Sequence, residues 1–171
     1  MLRIGTDCSG IESPIQALIN LNIDHDHVFS CEIDKFARQS IRANYNPKII
    51  YKDITIKKNK HELDIYVCGF PCQPFSLSGK RKGSKDLRGN IFKYCIEAIK
   101  NTNTKVFILE NVKGIISIEN GEYWEYIKYA LRDLSDYNID YKVLNTKDYG
   151  IPQNRERVYI IGIRKDTQNK V

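Results

Sequence analysis

No apolar run in these 171 residues approaches the roughly 20 needed to cross a bilayer. The amino terminus, MLRIGTDCSG, has no apolar signal core either. A membrane is therefore not an expected partner, and the expected location is intracellular: the cytoplasm for a bacterial or phage protein, a host-cell compartment for a viral one. CxxC spacings are absent and the five cysteines are odd in number. Reduced thiols fit this better than a disulfide framework or a zinc site, and no metal site is expected. Internal repeats, low-complexity blocks and Pro/Gly/Ser-rich linkers are also missing, which leaves one domain over 1–171, long enough to bury a real core. The formal charge of +6 is compatible with a nucleic-acid partner without requiring one.

What is present is an alternation of short apolar runs with helical patterns. Strands are expected at 2–7 (LRIGTD), 27–33 (HVFSCEI), 48–53 (KIIYKD), 64–70 (DIYVCGF), 105–111 (KVFILEN), 140–146 and 157–164. Helices are expected from about Pro14 to Leu21, with Ser13 as N-cap, from Asp34 as cap to about Asn44, from about Asn90 to Lys100, and over 122–134. Strands alternating with helices predict an α/β fold: a Rossmann-like, doubly wound, largely parallel sheet. Ligands bind such sheets outside the carboxyl ends of the strands. Asp7, Gly10, Glu32, Asp53, Cys72, Glu110 and Asn111 all fall there.

Each of these positions has a chemical reading beside a plainer one. Gly5 and Gly10 bracket TDCS and predict a tight strand-to-helix turn whose backbone N–H groups can approach a ligand; a full G-x-G-x-x-G is lacking, and an ordinary turn fits equally well. Glu32 can hold ribose hydroxyls and Asp53 an adenine amino group. Singly, each is more readily a solvated loop carboxylate; their joint placement at three successive strand ends, with the first turn, reverses that in favour of the ligand reading. In GFPCQPFS, Pro71 and Pro74 restrict Phe70 and Gln73 to extended conformations, so Cys72 sits on a stiff loop, as a positioned nucleophile requires. A small buried hydrophobe is the plainer role, and it suits Cys8, Cys31, Cys68 and Cys95 better. Glu110 emerges from the apolar run VFIL and is expected to be desolvated, hence available as a proton donor. Arg155 and Arg157, two apart at the start of the last strand, are expected to project from one face. A cysteine–histidine hydrolase is disfavoured because His25, His27 and His61 precede strands instead of following them.

Taken in order, CSGIESP, GFPCQPFS, DLRGNIF, ENV and QNRERV closely resemble the motifs of the C5-cytosine DNA methyltransferases, over nearly the whole chain. The resemblance implies S-adenosyl-L-methionine as cofactor and DNA as partner. It implies that Cys72 adds to C6 of a flipped-out cytosine, that Glu110 contacts N3, and that Arg155 and Arg157 hold O2. Cofactor contacts carried over are Cys8, Ser9, Gly10, Ile11, Glu32, Asp53 and Ile54; contacts to the substrate are Gln73, Ser76 and Asn111. The family's first motif usually has Phe and a further Gly where this chain has Cys8 and Glu12. The family also continues into a target-recognition domain and a closing motif. A second chain supplying them, as in a split enzyme, is therefore a candidate partner. The alternative reading is a non-catalytic remnant or regulatory subunit that binds nucleic acid or a protein.

Overall fold

A computed structural model describes residues 1–58, 61–72 and 91–167. Among these residues, seven strands are formed: β1 (Leu2–Asp7), β2 (His25–Cys31), β3 (Ile49–Tyr51), β4 (Ile65–Cys68), β5 (Val106–Val112), β6 (Tyr137–Asn145) and β7 (Glu156–Arg164). Between them lie α1 (Ser13–Asn20), α2 (Lys35–Asn44), α3 (Ile91–Thr102) and α4 (Glu122–Arg132). The strands form one sheet in the order β3-β2-β1-β4-β5-β7-β6. The first five are parallel, as their near-continuous apolar runs predict, and β7 runs antiparallel to both its neighbours.

Both faces of the sheet are covered. On one side Ile15 and Leu18 of α1 pack on Ile4 and Val67. On the other, Phe92, Cys95 and Ile99 of α3 and Trp124, Ile127 and Leu131 of α4 join Phe29, Tyr66, Phe107 and Ile160 in the main core. This is the doubly wound architecture expected from the alternation. Because the chain steps from β1 outward to β2 and β3, then returns to β4 on the other flank of β1, the strand order reverses between β1 and β4. The crevice for a ligand opens at such a reversal.

Two local expectations are corrected. Gly5 does not shape a turn; it lies inside β1, and a Cβ there would meet Phe29 Cε1 at 2.4 Å, so the aromatic ring of β2 requires its absence. Ser13 is not the N-cap of α1 but its first residue. Glu12 occupies the cap position at φ 65°, ψ 46° and makes no capping bond, because its carboxylate is turned inward to Thr6 and Ser30. Asp34 caps α2 as expected, accepting from Phe36 and Ala37 N–H at 2.8 Å each.

Candidate functional site

Strand register sets the site. Tyr51, Cys31, Asp7, Cys68 and Leu109 are successive register partners across β3, β2, β1, β4 and β5. One residue beyond this row stand Glu32, Cys8, Gly69 and Glu110, with Asp53 two beyond. Residues as much as 102 apart in sequence, Cys8 and Glu110, thus share one edge because five parallel strands end level.

The turn after β1 is built from left-handed residues: Cys8 at φ 49°, Gly10 at φ 55° and Glu12 at φ 65°. Among the described residues, and apart from its chain neighbours, nothing lies within 4 Å of where a Gly10 Cβ would be, which leaves that side of the turn open to them. Ser9 is the brace. Its hydroxyl donates to Cys31 O at 3.1 Å and accepts from Cys31 N at 2.9 Å, tying β1 to β2. Ser9, expected as a cofactor contact within the Cys8–Ile11 turn, has its side chain buried and engaged with backbone. Glu12, fully buried, accepts from Thr6 Oγ1 at 2.6 Å and Ser30 Oγ at 2.5 Å, and lies 3.4 Å from His27 Nε2. Buried hydrogen bonds of this kind hold a backbone conformation that non-glycine residues rarely adopt.

Glu32 links the first turn to the second. Its Oε2 accepts from Gly10 N–H at 2.8 Å and its Oε1 from Asp34 N–H at 2.9 Å. A carboxylate has about four lone-pair sites, so acceptors remain for ligand hydroxyls. Arg38 fixes the same turn, donating to Glu32 O at 2.7 Å and Ile33 O at 2.6 Å. Asp53 Oδ1 accepts from Thr55 N and Oγ1, both at 2.8 Å. Ile11 and Ile33 are exposed, whereas Ile54 is buried in the main core, so only its backbone is left to meet a ligand. Open space, free carboxylate acceptors and exposed apolar side chains together suit an adenosine-bearing molecule such as S-adenosylmethionine.

On the other flank of the reversal, β4 leads through Gly69, Phe70 and Pro71 to Cys72. Phe70 is buried against the Phe92 ring, with centroids 5.2 Å apart. Asn111, expected to face substrate, is itself buried; its Nδ2 donates to Phe70 O at 2.8 Å and its Oδ1 accepts from Val112 N–H at 2.8 Å. Its side chain reaches the loop that carries Cys72. Cys72 is half-buried, and burial raises its thiol above the ordinary range. Cys8 is also raised, first by its hydrogen bond to Cys68 and then by burial. A Cβ on Gly69 would lie 3.4 Å from Glu110 Oε2 and 3.9 Å from Cys8 O. At this residue the first turn, the cysteine loop and Glu110 converge.

Glu110 is the residue expected to be a desolvated acid at the end of VFIL. It has a partner: its Oε1 lies 3.0 Å from Arg157 Nε, while Arg157 Nη1 donates to Glu156 O at 2.8 Å. Arg155 precedes β7, with its N–H on Asn145 Oδ1 at 3.1 Å, so the expectation that it shares a strand face with Arg157 by periodicity does not apply to it. Its charge nevertheless reaches the same place. Tyr159, the register partner of Glu110, is raised by burial and then by Glu110, against lowering by Arg155 and Arg157. Sequence reasoning missed Tyr159; its position two residues after Arg157 in a strand was the available signal. Gln73 and Ser76, the basic run over 78–83 and most of DLRGNIF lie outside the described residues. The three histidines are engaged elsewhere, with Ile23 O, Ser30 Oγ and Tyr51 OH, which removes the base a thiol hydrolase would need.

Residues 8–171 match the family of C-5 cytosine-specific DNA methylases. The chain is 40% identical over 169 residues to the orphan methyltransferase M.SPRI of Bacillus phage SPR, covering 96% of this chain and 38% of that protein. It is 43% identical over 141 residues to the type II methyltransferase M.HhaI of Haemophilus parahaemolyticus, covering 81% of this chain and 42% of that protein. The Dnmt2 methyltransferase of S. pombe superposes with a TM-score of 0.78 at 26% identity, over 96% of this chain and 51% of that one. The chain therefore spans about two fifths of the length of these two curated relatives.

Proposed function

The chain belongs to the C-5 cytosine-specific DNA methylase family, and on that premise we propose that it is the catalytic part of a DNA (cytosine-5-)-methyltransferase. The observation that carries the proposal is the convergence at Gly69 of the Cys72 loop, the Glu110 carboxylate and the first turn. S-adenosylmethionine, when bound, supplies an electrophilic methyl group. Glu32, Asp53 and the backbone from Cys8 to Ile11 hold it at the three strand ends.

Cys72 adds through its sulfur to C6 of a cytosine taken out of the base stack. Addition pushes electron density onto the ring. Glu110 hydrogen-bonds N3, and the Arg155 and Arg157 charges stabilise the density developing at O2. After C5 is substituted, loss of its proton expels the Cys72 sulfur and restores the aromatic base. Asn111 keeps the cysteine loop docked throughout. Burial disfavours the free thiolate, so the Cys72 proton leaves to solvent as the sulfur bonds to C6, without a standing thiolate. The missing Phe of the first motif, replaced by Cys8, leaves adenine recognition to the exposed isoleucines beside Glu32.

Recognition of a particular DNA site requires side chains in a groove, beyond contacts to phosphate. More than half of each curated relative lies outside the part matched here. We assign site recognition to protein beyond these 171 residues, on the same polypeptide or on a second chain in a split enzyme.

DNA containing 5-fluorocytosine tests the nucleophile, because fluorine at C5 blocks the final elimination and traps the adduct. With S-adenosylmethionine and any segment needed for DNA binding, the chain should form a covalent adduct. Cys68→Ser should retain it and Cys72→Ser should lose it; an adduct persisting in Cys72→Ser refutes the assignment.

A further inference from the structure

Lys57 is a lysine where lysines are rarely found. It lies in the loop after β3, yet its side chain is only 3% exposed. The stem passes over the Phe29 ring, with Nζ 4.1 Å from its centroid and 5.9 Å from that of Tyr51. It ends in an ion pair with Asp7, whose own side chain is 0% exposed. The second Asp7 oxygen accepts from the Tyr66 hydroxyl at 2.8 Å. Both charges are thus compensated, as buried charges must be.

Among the described residues, the loop that carries Lys57 has few other ties. There β3 has three residues and pairs with β2 alone, so its ladder is short. The bonds of Asp53 are to Thr55, within the loop itself. Ile54 adds apolar anchorage. The tie with a defined direction is Lys57, which crosses from the edge of the sheet, over β2, to the last residue of β1. Asp7 directly precedes the Cys8–Ile11 turn. The ion pair therefore joins the loop bearing Asp53 to the turn bearing Gly10, fifty residues apart.

A buried ion pair adds little net stability over a well-packed apolar pair, because desolvation offsets the attraction. What it supplies here is registry between two loops. We propose that Lys57 is a positioning residue of the cofactor site, locking the Asp53 loop to the carboxyl end of β1 so that Asp53 and the first turn meet one ligand. The inference rests on the reading that S-adenosylmethionine binds at these strand ends.

The test is equilibrium binding of S-adenosylmethionine to the purified chain. Asp7→Asn with Lys57→Met removes both charges together, leaves an acceptor for Tyr66 and keeps an apolar stem over Phe29. In the wild-type background, Asp53→Ala and Glu32→Ala should each weaken binding about tenfold or more, as loss of a charge-assisted hydrogen bond does. In the doubly substituted background, binding starts about tenfold weaker. There Asp53→Ala should add less than twofold, while Glu32→Ala keeps its full effect. A role in general stability would weaken both contacts alike. An Asp53→Ala effect of equal size in the two backgrounds, or wild-type affinity in the doubly substituted protein, overturns the proposal. Lys57→Gln, which retains a neutral donor, serves should the double variant not fold. In it, amide exchange over 52–58 without cofactor should rise at least tenfold while β4 stays protected. Unchanged exchange overturns the tie, whereas failure of the wild-type chain to bind S-adenosylmethionine overturns only the proposed activity.

Discussion

Replacing Asn111 with Ala removes the contact that docks the cysteine loop, and the outcome can be worked out from the two bonds lost. Phe70 O is buried and loses its donor at 2.8 Å. Left unpaired, such a carbonyl costs about 1–3 kcal/mol. Val112 is exposed, so water can replace Asn111 Oδ1 on its N–H, and that loss is about 0.5–1.5 kcal/mol. If the loop holds its place, the full sum of about 1.5–4.5 kcal/mol appears as lost stability in urea denaturation. If the loop instead swings out to hydrate Phe70 O, the stability loss is smaller but Cys72 goes with it. Solvation would then relieve the burial that raises its thiol. Below the thiol pKa, each unit by which it falls speeds alkylation about tenfold, because the thiolate is the reacting form. Iodoacetamide labelling across pH 7 to 10, read on the Cys72 peptide, distinguishes the two. The fully buried Cys95 reports global opening in the same sample. Either a stability loss near the full sum or a Cys72 profile displaced to lower pH is expected. A variant within about 0.5 kcal/mol of wild type, with an unchanged Cys72 profile, would refute the docking role of Asn111.

Gly5→Ala should destabilise the chain by about 1–3 kcal/mol or more, since the new methyl would meet the buried Phe29 ring at 2.4 Å and Leu63 at 2.9 Å; a urea midpoint equal to wild type would contradict the packing. Asp64 tests electrostatics: burial alone would raise its carboxyl, but the Lys105 ammonium at 2.6 Å and the Arg3 N–H at 2.8 Å overcome this and hold it below the ordinary value. Its folded value being depressed, the stability it contributes is present above its unfolded pKa and lost as pH falls through the folded one. The difference in stability between wild type and Asp64→Asn should therefore shrink as pH is lowered below about 4, and a difference that is constant with pH would exclude the ion pair as its source.

The strand ends were legible because short parallel strands announce themselves: VFSC and VFIL are short, largely apolar runs, each followed at once by a glutamate. Asp34 was legible for a similar reason, since a cap bonds residues two and three positions on. What stayed hidden depends on partners distant in the chain. Asn111 reaches Phe70 across 41 residues and Lys57 reaches Asp7 across 50. In one dimension, a buried lysine and a solvated one look the same. Glu12 was hidden by competition: its side chain could cap a helix or enter the core, and only the presence of Thr6, Ser30 and His27 at one depth decides for the core. Arg155 was misjudged because strand periodicity was extended one residue past where β7 begins.

The insertion of β7 between β5 and β6 has a consequence for how the molecule is assembled during synthesis. Among the described residues β6 pairs only with β7, and β5 pairs with β7 on that flank. As the chain leaves the ribosome, the parallel half can close around Phe29 and Tyr66 while β5 keeps an open edge, and β6 emerges with nothing to pair with. Only when β7 is made can the two zip together as a local hairpin, cheap in loop entropy, and dock on β5. The same event brings Arg157 onto Glu110. Asn111 can thus dock the loop that carries Cys72 before Arg157 reaches Glu110.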